Sequence, residues 1–148
     1  MGSYTSVPTW WQHSESRYRL ICGKCPECGT VNFPPNGACV GCQNRVEYDT
    51  FEPSGTGTVR TVTVIRGGAP PEFTRLLAKE DAVAVAIIEL DEGVRVPAML
   101  TDCDPNEIER GGRVTRVIRR IYEQEGVIRY GYKFRPVRKE DETGISPD

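Results

Sequence analysis

Cys25-Pro26-Glu27-Cys28-Gly29, with ten residues between Cys28 and the second pair in Cys39-Val40-Gly41-Cys42, is the part of the chain on which the fold turns. Two residues between cysteines let one tight turn present both sulfurs, and the amides of that turn point at the thiolates and offset their charge. Pro26 suits the first turn, and Gly29 supplies a residue free to take a positive φ. In the second turn Gly41 lies inside and Gln43 follows, a small departure from the first. The spacing is that of a zinc ribbon, with Cys25, Cys28, Cys39 and Cys42 as ligands of one structural Zn²⁺ per chain; iron and disulfides are the alternatives. Four thiolates fill a tetrahedral sphere and leave no position for substrate or water, so the metal is expected to hold a module together without doing chemistry.

Cys22 opens a second register, because Cys22-x2-Cys25 has the same gap. We prefer Cys25/Cys28, whose pair carries the turn residues, and read Cys22 as a buried thiol closing a strand-like run, Tyr18-Arg19-Leu20-Ile21. Clustered cysteines with no signal peptide point to a reducing compartment and hence to the cytoplasm. Cys103, in Thr101-Asp102-Cys103-Asp104-Pro105, is the one candidate nucleophile outside the ribbon. Its carboxylate neighbours raise a thiol pKa, which favours a structural role. The chain's single histidine, His13, is read as a surface residue and not a base, which leaves none for the triads, histidine-based zinc hydrolases and iron facial triads that use them.

Downstream, Glu52-Pro53-Ser54-Gly55-Thr56-Gly57 reads as a hinge, and strand signals follow. Thr58 to Ile65 is rich in Thr and Val. Asp81 to Leu90 is almost wholly apolar on both faces, as a central strand is. Asp91-Glu92-Gly93 turns into Val94 to Thr101. Arg113 to Tyr122 has a pattern that a helix could also use, but its branched residues favour strand. Gln124-Glu125-Gly126 then turns into Val127 to Arg135. Five strands in roughly 80 residues, with an excursion at 67–80, suggest a small closed barrel of the OB type. The expected fold is therefore mainly β: a short N-terminal helical segment (1–17), a zinc ribbon (18–50), a five-stranded OB barrel (51–138) and an acidic mobile tail (139–148). Within 8–17, Trp10 and Trp11 cannot share a helix face. Either one docks while the other meets a partner, or both pack on the ribbon.

The chain has 148 residues with 38% hydrophobic and 27% charged, which suits a folded, turn-rich protein and excludes a large multi-domain enzyme. No apolar run approaches the roughly 18–20 residues a bilayer requires. Net charge is −2, so no global field draws the protein to a polyanion. The charge is unevenly spread. Residues 80–109 hold nine acidic side chains against Arg95, and residues 113–139 hold nine basic ones against Glu123 and Glu125. If the last two strands pair, part of the basic set converges on one surface suited to phosphates. Taken alone, the charges favour the plainer reading of a solvated face that balances the acidic middle.

Several stretches resemble, over nearly the whole chain, the family known as domain of unknown function thirty-five, a rubredoxin-like zinc ribbon preceding an OB fold. They are Arg17-Tyr18-Arg19-Leu20-Ile21, the four cysteines, Phe33-Pro34-Pro35, Ile88-Glu89-Leu90-Asp91-Glu92-Gly93, Asp102-Cys103-Asp104-Pro105 and Gly131-Tyr132-Lys133-Phe134-Arg135-Pro136. The last of these looks archaeal. Where such members usually carry Gly this chain has Cys22, which supports leaving Cys22 outside the metal site. The resemblance implies a non-catalytic accessory subunit of an acyl-CoA enzyme complex. The archaeal type resembles the subunit that bridges acetoacetyl-CoA thiolase and hydroxymethylglutaryl-CoA synthase in the mevalonate route to isoprenoids. On that reading CoA or acyl-CoA is a shared ligand, with Lys133 and Arg135, and Arg129 behind them, as phosphate contacts. Phe33 then lines the pantetheine path or an interface, unless it is ribbon core. The alternative is an OB-fold single-stranded nucleic-acid-binding protein. Strand alternation counts against it, since it sets Tyr130, Tyr132 and Phe134 opposite Arg129, Lys133 and Arg135, with the aromatics expected to fill the barrel.

Overall fold

In the computed structural model, which describes residues 14–138 and Asp141, the chain forms two units that part between Ser54 and Gly55, within the hinge-like stretch. Trp10, Trp11, His13 and nearly all of the acidic tail lie outside the described residues.

The first unit opens with α1 (Ser14–Arg19), whose Glu15 sits in the first turn where the helix dipole favours an anion. Tyr18 and Arg19 thus end a helix and do not form a strand. Leu20 takes a left-handed φ of 56° and turns the chain into β1 (Cys22–Lys24). The expected strand over 18–21 fails because four residues with two apolar members cannot separate the end of a helix from the start of a strand. β1 lies between β2 (Val31–Asn32) and β3 (Asp49–Phe51), antiparallel to both. Gly23 is required at the centre of this sheet, since a Cβ there would lie 2.6 Å from both Pro35 Cβ and Tyr48 Cβ.

The second unit contains the five expected strands: β4 (Thr56–Ile65), β5 (Val83–Leu90), β6 (Arg95–Met99), β7 (Arg113–Gln124) and β8 (Val127–Pro136). Their order is β6-β5-β4-β7-β8, all antiparallel. A parallel bridge from Leu100 to Phe134, with the Thr101 amide donating to the Phe134 carbonyl at 2.8 Å, brings the two ends together. The result is a nearly closed five-stranded barrel, an OB fold. Alternation builds its core: Ala84, Ala86, Ile88 and Leu90 of β5 and Val96 and Ala98 of β6 are buried, as are Val59, Val114 and Phe134. Gly57 lets β4 approach β5, because a Cβ there would stand 2.5 Å from the Glu89 carbonyl oxygen.

The excursion at 67–80 is helical, a 3₁₀ turn (Pro71–Phe73) running into α2 (Thr74–Glu80). Pro70-Pro71 followed by Leu, Leu, Ala, Lys and Glu is a legible helix start. Asp81, left-handed at φ 56°, stops the helix and its amide donates to the Leu77 carbonyl at 2.8 Å. At the far end, Glu125 and Gly126 both have positive φ and close the β7–β8 hairpin on the Gln124↔Val127 pair. β4 pairs with only Arg113, Val114 and Thr115 of β7, so the hairpin continues beyond the barrel as a two-stranded ribbon.

Candidate functional site

The four cysteine sulfurs of the knuckles lie within 4.8 Å of one another. Cys25 Sγ is 3.8 Å from Cys42 Sγ, and Cys28 Sγ is 3.5 Å from Cys39 Sγ. Tetrahedral Zn²⁺ with bonds of about 2.3 Å needs sulfurs roughly 3.8 Å apart, close to these two spacings, so the four residues fit that ion. The two knuckles are near copies. The Gly29 amide donates to the Cys25 carbonyl and the Gln43 amide to the Cys39 carbonyl, both at 2.9 Å. Gln43, at φ 62°, takes the left-handed place that Gly29 takes at 75°, so the departure noted in the sequence is one of residue type and not of geometry. Gly41 has a separate task, since a Cβ on it would lie 2.4 Å from Thr30 Oγ1 and 3.1 Å from Cys28 Sγ.

A second layer holds the sulfurs. The buried Asn32 side chain donates to Cys39 Sγ at 3.4 Å and to the Thr30 carbonyl at 3.0 Å, and its Oδ1 accepts from the Val40 amide at 2.9 Å. The Gly41 amide reaches Cys39 Sγ at 3.3 Å. Backbone donation at Cys42, with help from Asn32 and Gly41, pulls the Cys39 thiol down to about 6. At Cys42 the Asn44 amide pulls the same way, but burial and the other three sulfurs together hold the thiol up, to about 12. The opposed directions have one cause: four sulfurs this close cannot all ionise without a cation among them. Glu27 Oε2 accepts from Asn44 Nδ2 at 2.7 Å and clips the first knuckle to the second. Asn32 and Glu27 carry no spacing signal and were not legible as parts of the site.

Cys22 lies outside this group. It is fully buried, and its thiol donates to the Leu20 carbonyl at 3.2 Å. The Cys103 thiol is pushed up by burial first and by Asp102, Asp104 and Glu80 after it, which makes it a poor nucleophile.

The basic residues of β8 separate. Arg135 forms a two-pronged pair with Asp141 at 2.8 and 2.9 Å, and Asp141 is held far below the usual carboxylate range by that guanidinium. Arg129 is half-buried, opposite Tyr122 in register. Lys133 is only 5% exposed. The aromatic face runs from buried Phe134 through half-buried Tyr132 to Tyr130, which is 49% exposed. The alternation is present, but the barrel interior ends before Tyr130, where the ribbon leaves its neighbours behind. Phe33, half-buried and joined to Pro34 by a cis peptide bond, belongs to the ribbon unit.

Lys133 borders a cleft of about 330 Å³ that the strand pattern did not reveal. Arg75 and Lys79 of α2, four apart and so on one helix face, contribute to it, together with Arg119 and Arg120 of β7. The i, i+4 cations within 67–80 were the signal available in the sequence.

A rubredoxin-like zinc ribbon leading into an OB barrel, with a closed four-cysteine centre, defines a class of small zinc-binding modules. Residues 14–47 match the family described as ChsH2, rubredoxin-like zinc ribbon domain, and residues 52–119 match ChsH2, C-terminal OB-fold domain. A DUF35 domain-containing scaffold protein of Methanocaldococcus jannaschii is 41% identical over 86% of this chain and 88% of its own. Another, of Pyrococcus furiosus, is 39% identical over 95% of this chain and 100% of its own. The chain belongs to this DUF35 family of zinc-ribbon and OB-fold scaffold proteins. Among solved structures, one titled Ltp2-ChsH2(DUF35) aldolase superposes with a TM-score of 0.63 at 27% identity, covering 92% of this chain and 98% of that one.

Proposed function

We propose that this protein is a non-catalytic scaffold subunit that binds CoA or acyl-CoA and bridges acetoacetyl-CoA thiolase to hydroxymethylglutaryl-CoA synthase in the mevalonate pathway. The observation that carries the reading is the scaffold description of relatives matched along nearly their whole length. The pairing of a DUF35 chain with Ltp2 in a solved aldolase structure supports an enzyme as the partner. A metal centre closed by four thiolates supports the absence of chemistry on the chain itself. Thiolytic condensation of two acetyl-CoA is uphill, and transfer of acetoacetyl-CoA without release lets the second condensation draw the first forward. A bridge that fixes two active sites along one CoA path raises effective concentration without bond-making of its own.

Within this reading Lys133, Arg135 and Arg129 meet CoA phosphates, although Arg135 would have to exchange Asp141 for a phosphate to do so. Phe33 serves the pantetheine path or an enzyme interface. Residues 1–16, with Trp10 and Trp11, are the proposed enzyme-binding element.

Affinity capture of the tagged chain from its own cells, with identification of partners and a metal assay on the same sample, tests the proposal. Recovery of both enzymes with one zinc per chain supports it. Recovery of nucleic acid, or of no acyl-CoA enzyme, overturns it. A chain lacking residues 1–16 should lose association while retaining zinc.

A further inference from the structure

We propose that the cleft between α2, β7 and β8 is a phosphomonoester site in which the ammonium groups of Lys133 and Lys79 hold the phosphate. Lys133 is 5% exposed, yet among the described residues its ammonium makes no hydrogen bond or ion pair. Its stem is buried while its unpaired ammonium stays open to the cleft, where a counter-charge entering from outside would meet it. Burial does depress its basicity, with Glu80 and Asp102 pulling the other way from a distance. The Lys79 ammonium, on the facing helix, is likewise without a hydrogen bond or ion pair among the described residues.

The arginines and Glu123 are already engaged, and of the lining carboxylates only Glu80 has no ion pair among the described residues. Arg119 donates to Asp102 at 2.8 Å, Arg120 is paired with Glu123, and Arg75 reaches the same Glu123 at 3.7 Å. The lining therefore carries five cations against two carboxylates, Glu80 and Glu123, and the surplus sits mainly on the two lysines. A compact dianion satisfies both, and charge-assisted bonds to ammonium groups are the strong kind. The recess is larger than a phosphate needs, and its other walls are Leu76, Ile121 and Tyr122. That suits a phosphate carried on a ring-bearing organic group better than the free ion.

In taking the 3′-phosphate of CoA as the physiological source, this inference rests on the reading above. It differs in drawing on α2, which the β8 pattern did not offer. A phosphorylated metabolite unrelated to CoA carries the same chemistry, and the test separates the two.

The zinc-loaded full chain is titrated with inorganic phosphate, adenosine 3′-monophosphate, CoA and dephospho-CoA, with binding followed at individual amides by NMR. We expect inorganic phosphate and adenosine 3′-monophosphate to shift the amides around Lys79 and Lys133, and CoA to bind about tenfold or more tightly than dephospho-CoA. Lys79→Glu, at an exposed position, and Lys133→Met, of similar length, should each weaken nucleotide binding by about tenfold or more with zinc content unchanged. Should Lys133→Met fail to fold, Lys79→Glu carries the test. Cleft shifts with the monophosphate but no preference for CoA over dephospho-CoA would support the site and assign it to another phosphorylated metabolite, against the CoA reading. Full CoA binding by Lys79→Glu would overturn the site and leave the CoA reading intact. Absence of any cleft shift in the wild type at millimolar ligand would overturn it as well.

Discussion

The side-chain amide of Asn32 donates to the sulfur of Cys39 at 3.4 Å while the same residue accepts from the amide that follows that cysteine. One buried side chain thus orients both the ligand and its turn. Groups that orient ligands affect metal affinity without touching the metal. Asn32→Ala should keep the four thiolates but lower zinc affinity by about 10- to 100-fold, read by competition with a chelator. Unchanged affinity would show that the knuckle backbone alone positions Cys39.

Zinc removal should act first on the ribbon. Its three strands have two or three residues each, too little apolar area to stand without the ion. Hydrogen exchange after chelation should show protection lost at β1–β3 while β4–β6 remain protected. Simultaneous loss from both units would refute the separation.

Phe134 seals the barrel where β8 meets Leu100, and it is fully buried. Phe134→Ala should cost about 3–5 kcal/mol, read as a lowered midpoint in urea unfolding. The same change at half-exposed Tyr130 should cost under about 1 kcal/mol.

Gly57 faces the Glu89 carbonyl so closely that Gly57→Ala must move one strand. A loss of about 1–3 kcal/mol is expected, although an alanine elsewhere in a strand is ordinarily better than glycine. A neutral result would mean that β4 and β5 can separate at no cost.

Arg113 grips Asp91 through two bonds of 2.7 and 2.9 Å and lowers its pKa. A depressed folded-state value means that the pair's stabilisation is present above the unfolded carboxylate value of about 3.9 and is lost as pH falls through the folded one. Both side chains are nearly half exposed, so Asp91→Asn should cost no more than about 1 kcal/mol at neutral pH and should converge on the wild type in acid. A difference that persists in acid would point to packing and not charge.

The elements most legible in the sequence were those with a short-range physical code. Cys-x2-Cys pairs declare a metal knuckle because one tight turn can place both sulfurs on the same ion, and β5 declares itself because seven of its eight residues are apolar, on both faces, as fits a strand with neighbours on each side. Tyr18 to Ile21 misled because a chain passing from helix to strand within four residues leaves no period to read. Asn32, Glu27 and the cleft were illegible for another reason: each depends on residues far apart in the chain, as Lys133 and Lys79 are.

By itself the sequence determined the zinc knuckles, the five strands, their turns and the family, since each follows from spacing, alternation or local backbone preference. Only the tertiary structure decided which polar groups are buried and with whom. Lys133 lies in a cleft instead of on an open basic face, and Arg135 is held by Asp141 instead of waiting for a ligand. Burial and pairing are properties of neighbours brought together by closure of the barrel, and no local pattern encodes which side chain a distant helix will cover.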